Sequence, residues 1–304
     1  MKFRRVVADT GLEYQQLDAD GNTWRRAQSP PLGPTPFTAQ YEAAIAEHHT
    51  ARSGGCLPFQ PLSFRDFTGS RRHLIDSSRG LVRRFHPRQA LLTNAYEALT
   101  RKPFPLFQPH ALFDTQPIYY MSNHLTFVPS GTPVQGPSYT KALDYELELG
   151  FVLLESLRDA TPEQAVDAIG AFVVVNDFTA RDVQRREMAS GLGPQKAKHF
   201  LNSMSQTATT ADEVLPRLHE LTGTVAINGH VVSRVDTKDM RWSVGEMLAH
   251  ASKSEMLLPG ELFATGTLAG GSGMETGNWL ADGDVLRLEL EGIGTIEHVI
   301  THSR

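Results

Sequence analysis

The chain has 304 residues, 40% apolar and 21% charged, and its 29 Lys and Arg against 34 Asp and Glu leave a formal charge of −5. That composition is globular rather than disordered or fibrous, and a mild acid excess offers no general attraction to nucleic-acid phosphates. The single cysteine, Cys56, excludes an internal disulfide framework and fits a reducing, cytoplasmic setting, and no apolar run is long enough to cross a membrane as a helix.

In chain order, Ser29-Pro30-Pro31-Leu32-Gly33-Pro34-Thr35-Pro36 is a stiff connector, because proline fixes φ and lacks an amide hydrogen. A short helix is expected from Thr38 to His48, and Arg52-Ser53-Gly54-Gly55 breaks the pattern again. Residues 1–55 therefore read as an N-terminal extension or small subdomain and 56–304 as the main domain.

Thr161-Pro162-Glu163-Gln164 and Ser243-Val244-Gly245-Glu246 are helix starts of the capping-box kind, with Thr161 and Ser243 as N-caps. Phe172-Val173-Val174-Val175 is a buried strand, and Val225 to Val232 is a hairpin turning at Asn228-Gly229. Leu286, Leu288 and Leu290 alternate with Arg287, Glu289 and Glu291 as in a half-buried strand. Strands outnumber helices, which look short, so the fold class is α+β, mostly β, with helices packed outside. No repeat of the solenoid or propeller kind is present.

The densest chemistry lies in Leu143-Asp144-Tyr145-Glu146-Leu147-Glu148-Leu149. In a strand Asp144, Glu146 and Glu148 share one face. Their mutual repulsion is relieved by a divalent cation or by solvent, and the pattern alone weighs the two equally. Asp177 follows an apolar run and by itself reads as a helix N-cap or first-turn acid, before a helix that shows Arg181 and Gln184 on one side. Gly193-Pro194-Gln195-Lys196-Ala197-Lys198-His199-Phe200 then brings lysines towards it. Asp66 precedes His73 by seven residues, which proves nothing in a chain with 12 histidines. The glycines of Thr265 to Glu275 are too irregular for a phosphate-binding fingerprint and read as a flexible loop close to a ligand.

In this order the segments resemble the fumarylacetoacetate hydrolase family over roughly residues 60–300. The resemblance is carried by the Asp144 to Leu149 strand, by Asn176-Asp177 with Ala180-Arg181-Asp182 and Gln184, and by Gly193-Pro194 with Lys198 and Phe200. Phe263-Ala264-Thr265-Gly266-Thr267, Gly283-Asp284 and Glu291-Gly292-Ile293-Gly294 complete it. It implies a fumarylacetoacetase-like mixed β-sheet roll or barrel with short peripheral helices. It also implies one Mg²⁺, Ca²⁺ or Mn²⁺ ion on Glu146, Glu148 and Asp177 with Asp66 as fourth ligand. An all-oxygen set of this kind suits hard cations rather than zinc.

The resemblance further implies that His73, oriented by Glu275, acts as general base. Arg181, Gln184 and Lys198 would act on the substrate, with Lys196 as the alternative to Lys198. Tyr120, or else Tyr119, and Thr267 would bind it. The partner implied is a small oxo acid, and the assembly a homodimer. Family members hydrolyse, decarboxylate, isomerise or dehydrate oxo acids, and the His–Glu pair favours hydrolysis of a carbon–carbon bond in a β-diketo acid or acylpyruvate. The competing readings are an oxo-acid decarboxylase, isomerase or hydratase that dispenses with His73, and a non-catalytic metal- or oxo-acid-binding protein. Only about 55 residues precede the matching region, fewer than in the family's namesake, which leaves the substrate open.

Overall fold

The computed structural model describes residues 1–8, 11–33, 35–36, 41, 44 and 55–302. Of the helix expected from Thr38 to His48, all but Tyr41 and Ala44 lies outside the described residues. The chain begins with β1 (Lys2–Ala8), β2 (Gly11–Leu17) and β3 (Trp24–Arg26), followed by β4 (Phe64–Phe67), β5 (Tyr119–Ser122), β6 (Phe127–Pro129) and β7 (Val134–Gly136). Next come β8 (Leu143–Asp144), β9 (Glu146–Leu153), β10 (Ile169–Asp177), β11 (Thr179–Ala180), β12 (Asn202–Met204) and β13 (Thr207–Thr210). The last strands are β14 (Thr222–Ile227), β15 (His230–Asp236), β16 (Leu262–Ser272), β17 (Val285–Leu290) and β18 (Gly294–His302).

An eleven-stranded sheet runs β3-β2-β1-β13-β10-β9-β16-β4-β5, with β12 and β6 attached beside β10, and a five-stranded sheet runs β15-β14-β17-β18-β7. Both are mixed: β16 runs parallel to β4 and β18 parallel to β7, while the pairs around β9 are antiparallel. The mostly-β reading therefore holds. The first strands extend the edge of the large sheet through the β1–β13 ladder.

The site is fixed by how β9 is buried. Leu147, Leu149, Phe151 and Leu153 point into one apolar cluster, and Val152 points into the other with Phe3, Phe64, Val173 and Val175. Each such fully buried side chain stabilises the fold by roughly 1.5–3 kcal/mol. On the second face the pattern changes along the strand, from Val152 at one end to Glu148 and Glu146 at the other. The antiparallel register places Glu148 opposite Val175 and leaves Asp177 at the end of β10 beside the acids. In the same layer β16 pairs Thr267 with Glu148, β4 pairs Asp66 with Ala264, and β5 pairs Tyr120 with Asp66. A period of two, carried across five strands, thus gathers the acids at one end of a sheet whose opposite end is apolar.

The expected hairpin forms between β14 and β15, with Asn228 at φ 53° and Gly229 at φ 78° as the tight turn requires. Both capping boxes form, starting the helices Pro162–Asp167 and Val244–Ala251. Two longer helices, Arg71–Phe85 and Pro87–Thr100, correct the expectation that all are short. The glycine-rich stretch from Thr265 is not a flexible loop but the second half of β16, broken by register shifts on either side of Thr267. Gly266 is required there, because φ is +79° and a Cβ would stand 2.1 Å from the Phe67 carbonyl oxygen.

Candidate active site

Asp66, Glu148 and Asp177 are buried, and one ligand-type oxygen from each lies within 4.8 Å of the other two. The Tyr120 hydroxyl stands 2.8 Å from Asp66 Oδ2 and 2.5 Å from Asp177 Oδ2, and its one proton serves only one of them at a time. Thr267 donates to Glu148 Oε1 at 3.3 Å. The remaining oxygens, Asp66 Oδ1, Glu148 Oε2 and Asp177 Oδ1, have no hydrogen-bond partner. Burial, and then the Asp177 charge, pushes the Asp66 carboxyl well above its ordinary range. Burial, and then Asp66, Glu146 and Asp177, does the same to Glu148. Asp177 is also raised by burial, with Lys198 opposing. Three converging carboxylates, each with an orphaned buried oxygen, could hold a hard divalent cation.

Glu146 stands beside this triad but is engaged elsewhere. Its Oε1 accepts from Arg181 Nη2 at 2.7 Å and its Oε2 from Lys198 Nζ. Burial works to raise its pKa, but Arg181, Lys198 and His73 outweigh burial and hold it well below the usual range. Lys198 Nζ also donates to Asp177 Oδ2, and to Thr179 Oγ1 at 2.9 Å. Burial alone lowers a lysine pKa; here Asp177 and Glu146 reverse that and keep Lys198 charged. Arg181 is similarly buried and held charged by Glu146 and Asp144. Lys196 instead lies over the Tyr139 ring on the exterior.

Asp177 proves to be the buried last residue of β10 rather than a helix cap; Ala180 holds the N-cap position of the helix Arg181–Ala189. That helix presents Arg181 and Gln184 together, joined by a 3.0 Å bond from Arg181 Nη1 to Gln184 Oε1. Tyr119 and Tyr120 both line the cavity, but the hydroxyl of Tyr120 is the one on the acids.

His73 enters from the helix Arg71–Phe85, whose N-cap Ser70 accepts from the His73 amide. Its Nδ1 lies 3.0 Å from Glu275 Oε2, and its Nε2 lies 4.0 Å from Glu146 Oε1. Glu275 belongs to the short helix Gly273–Thr276 and closes a capping box with Ser272. The Glu275 carboxylate also accepts from the amides of Gly270 and Ser272 and from the Ser272 hydroxyl. Burial raises its pKa, but His73 and these donors overcome that and depress it.

Three supporting acids or hydroxyls had no assigned role in the sequence reading. Asp144 accepts from Arg181 Nε at 2.8 Å and from the amides of Gly273 and Met274, so one carboxylate ties the arginine to the start of the Glu275 helix. Glu187 accepts from the amides of Gln195, Lys196 and Ala197 and so fixes the loop that ends in Lys198. Ser272 was legible as the Ser-x-x-Glu of a capping box; Asp144 and Glu187 act across the fold, where sequence spacing carries no signal.

Asp66, His73, Tyr120, Glu148, Arg181 and Lys198 line one cavity of about 510 Å³, with Asp177 in contact with Tyr120 and Glu275 with His73. It combines an acid cluster suited to a cation, an imidazole oriented by a carboxylate, and two buried cations. Such a set can bind an oxo acid and move a proton on it.

Residues 92–301 match the family model described as Fumarylacetoacetate (FAA) hydrolase C-terminal. The mitochondrial oxaloacetate tautomerase FAHD1 of Homo sapiens is 31% identical over 156 residues, covering 51% of this chain and 71% of that protein. The 4-hydroxyphenylacetate degradation bifunctional isomerase/decarboxylase of Escherichia coli is 28% identical over 240 residues, covering 73% of this chain and 54% of that one. The solved fumarylacetoacetate hydrolase of psychrophilic Exiguobacterium antarcticum shares the fold, with TM-score 0.70, 20% identity and full coverage of both chains.

Proposed function

The chain belongs to the fumarylacetoacetate hydrolase family, and from that membership we propose that it is a divalent-metal-dependent hydrolase cleaving a carbon–carbon bond in an acylpyruvate or related β-diketo acid. The observation that carries this is the His73–Glu275 pair, 3.0 Å apart, with His73 on the same cavity as Asp66 and Glu148 of the orphaned acid triad.

Asp66, Glu148 and Asp177 would hold Mg²⁺, Mn²⁺ or Ca²⁺, with Glu146 joining them if Lys198 and Arg181 give way. When bound, the ion would supply Lewis-acid polarisation of the substrate's oxo groups. Because Nδ1–H of His73 donates to Glu275, Nε2 is left as the basic nitrogen, positioned to take a proton from water. That water adds to the acyl carbonyl carbon, the bond between this carbon and the methylene breaks, and the methylene leaves as the enolate of pyruvate. The enolate then accepts a proton, so that acylpyruvate and water become a carboxylic acid and pyruvate. Lys198, Arg181 and the Gln184 amide are the donors available to the developing negative charge.

A second reading is supported by the names of the two curated relatives: proton transfer or loss of CO₂ without addition of water. The same His73–Glu275 pair could move a proton between carbon and oxygen. Turnover of an acylpyruvate panel with Mg²⁺ or Mn²⁺ in H₂¹⁸O separates the two. Hydrolysis places ¹⁸O in the released carboxylate; unlabelled products, CO₂ release, or only deuterium exchange at the methylene in D₂O would replace hydrolysis with the second reading.

A further inference from the structure

The charge in the cavity is confined to one end. Asp66, Glu146, Glu148, His73, Arg181 and Lys198 are the ionisable side chains of its acid–base floor, and all are buried. The rest of the lining is uncharged: its apolar side chains include Leu74, Leu81, Ile118, Met188, Leu192 and Met274, and its polar ones are Gln184 and the hydroxyls of serines, threonines and tyrosines. Two of these stand in water at the rim, Met188 at 54% exposure and Leu192 at 80%. Leu192 is presented by a fixed structure: Gly191 and Gly193 flank it at φ +82° and +78°, and the following amides are tied to Glu187.

Arg181 and Lys198 are the only permanent cations lining the cavity among the described residues, and both are already paired with Asp144, Glu146 and Asp177. A carboxylate at the far end of a substrate would meet leucine, isoleucine and methionine, with no unpaired cation to offset whatever hydration it loses there. An alkyl or aryl group there would remove the same side chains from water at no electrostatic cost.

We propose that this cavity selects 2-oxo acids whose far end is an uncharged alkyl or aryl group, with Leu192 and Met188 closing over that end. The inference rests on the oxo-acid reading of the floor and adds the chemical class of the tail. It sets this chain apart from an enzyme built for dicarboxylates.

The test is calorimetric binding to the Mg²⁺-loaded full chain of three probes: pyruvate, 2-oxooctanoate, and the dicarboxylate 2-oxoheptanedioate. Each methylene buried against the wall is expected to tighten binding by about fourfold. 2-Oxooctanoate should therefore bind at least about tenfold more tightly than the dicarboxylate. Leu192→Lys, at an exposed position where the fold tolerates the change, should narrow or reverse that preference while leaving pyruvate binding in place. Equal or tighter binding of the dicarboxylate by the wild type overturns the apolar-tail inference and leaves the oxo-acid reading standing. Failure of all three probes to bind overturns both.

Discussion

Replacing Glu275 by glutamine tests the His–Glu pair and the fold around it in one experiment. The carboxylate receives four donors: His73 Nδ1, the Ser272 amide and the Ser272 hydroxyl on Oε2, and the Gly270 amide on Oε1. An amide has one oxygen. If that oxygen stays towards His73 and Ser272, the NH₂ group faces the Gly270 N–H; if it turns, the NH₂ faces His73 and Ser272. Either orientation buries at least one unmatched donor, which costs ~1–3 kcal/mol.

The pH dependence of that loss has a definite sign. Glu275 is depressed in the folded protein, with burial opposing and His73 with the local donors prevailing. A depressed carboxylate contributes stability that is complete above its unfolded pKa and is lost as pH falls through the lower folded value. The gap between wild type and Glu275→Gln, read by urea denaturation, should therefore be full near pH 7 and shrink below about pH 4.3, the ordinary glutamate value. In turnover, a neutral amide still accepts from Nδ1 but no longer stabilises the imidazolium that forms when Nε2 takes a proton. The loss expected for impaired general-base action is ~10²–10⁴-fold in kcat. A variant within threefold of wild type in kcat, and equally stable at pH 7, would refute the assignment of Glu275 as the group that orients His73.

Three other substitutions probe the rest of the site. Lys198→Met leaves Glu146 and Asp177 facing each other without the buried ammonium, and urea denaturation should register a loss of ~3–5 kcal/mol; a loss under 1 kcal/mol would mean that the acids are relieved by other means. Saturating Mg²⁺, at about 100 times its Kd, should stabilise the wild type by about 2.7 kcal/mol, and Glu148→Gln should abolish that gain; a full gain in the variant removes Glu148 from the cation site. Glu187→Ala frees the amides of Gln195, Lys196 and Ala197, so proteolysis within Gly191–Ala197 should accelerate and KM should rise more than kcat falls, with partial recovery in Glu187→Gln; unchanged proteolysis would show that the loop is held without it.

What could be read from the chain depended on the range over which each signal acts. The common face of Glu146 and Glu148 follows from the two-residue period of a strand, and the capping boxes at Thr161 and Ser243 from spacing within a single turn. Asp177 looked like a helix cap because a helix begins four residues on, at Arg181, while its true environment is set by β4, β5 and Lys198, all distant in sequence. The Arg71–Phe85 helix was missed because its N-cap, Ser70, is followed at the third helical position by His73 rather than the Glu or Gln of a capping box. The glycines after Thr265 suggested a loose loop, yet Gly266 serves a strand that passes directly over the Phe67 carbonyl. A local pattern cannot separate a glycine that loosens a loop from one that permits close backbone contact.

The same long-range assembly explains the unusual charge of the site. Asp66, Asp144, Glu146, Glu148, Asp177 and Glu275 are all buried, against the permanent cations Arg181 and Lys198. Asp144 and Glu146 are paired with those cations, and Glu275 is held by His73 and its local donors. Asp177 shares Lys198 with Glu146, while Asp66 and Glu148 have no cation of their own within ion-pair distance among the described residues. The groups raised furthest by burial are therefore Asp66 and Glu148, the two without a cation. An arrangement selected for stability alone would have replaced them with apolar side chains like those at the other end of the same sheet, since an unpaired buried charge costs several kcal/mol. Their retention next to a complete apolar cluster is intelligible if the missing positive charge arrives with a ligand, and the three orphaned oxygens mark where it would be received.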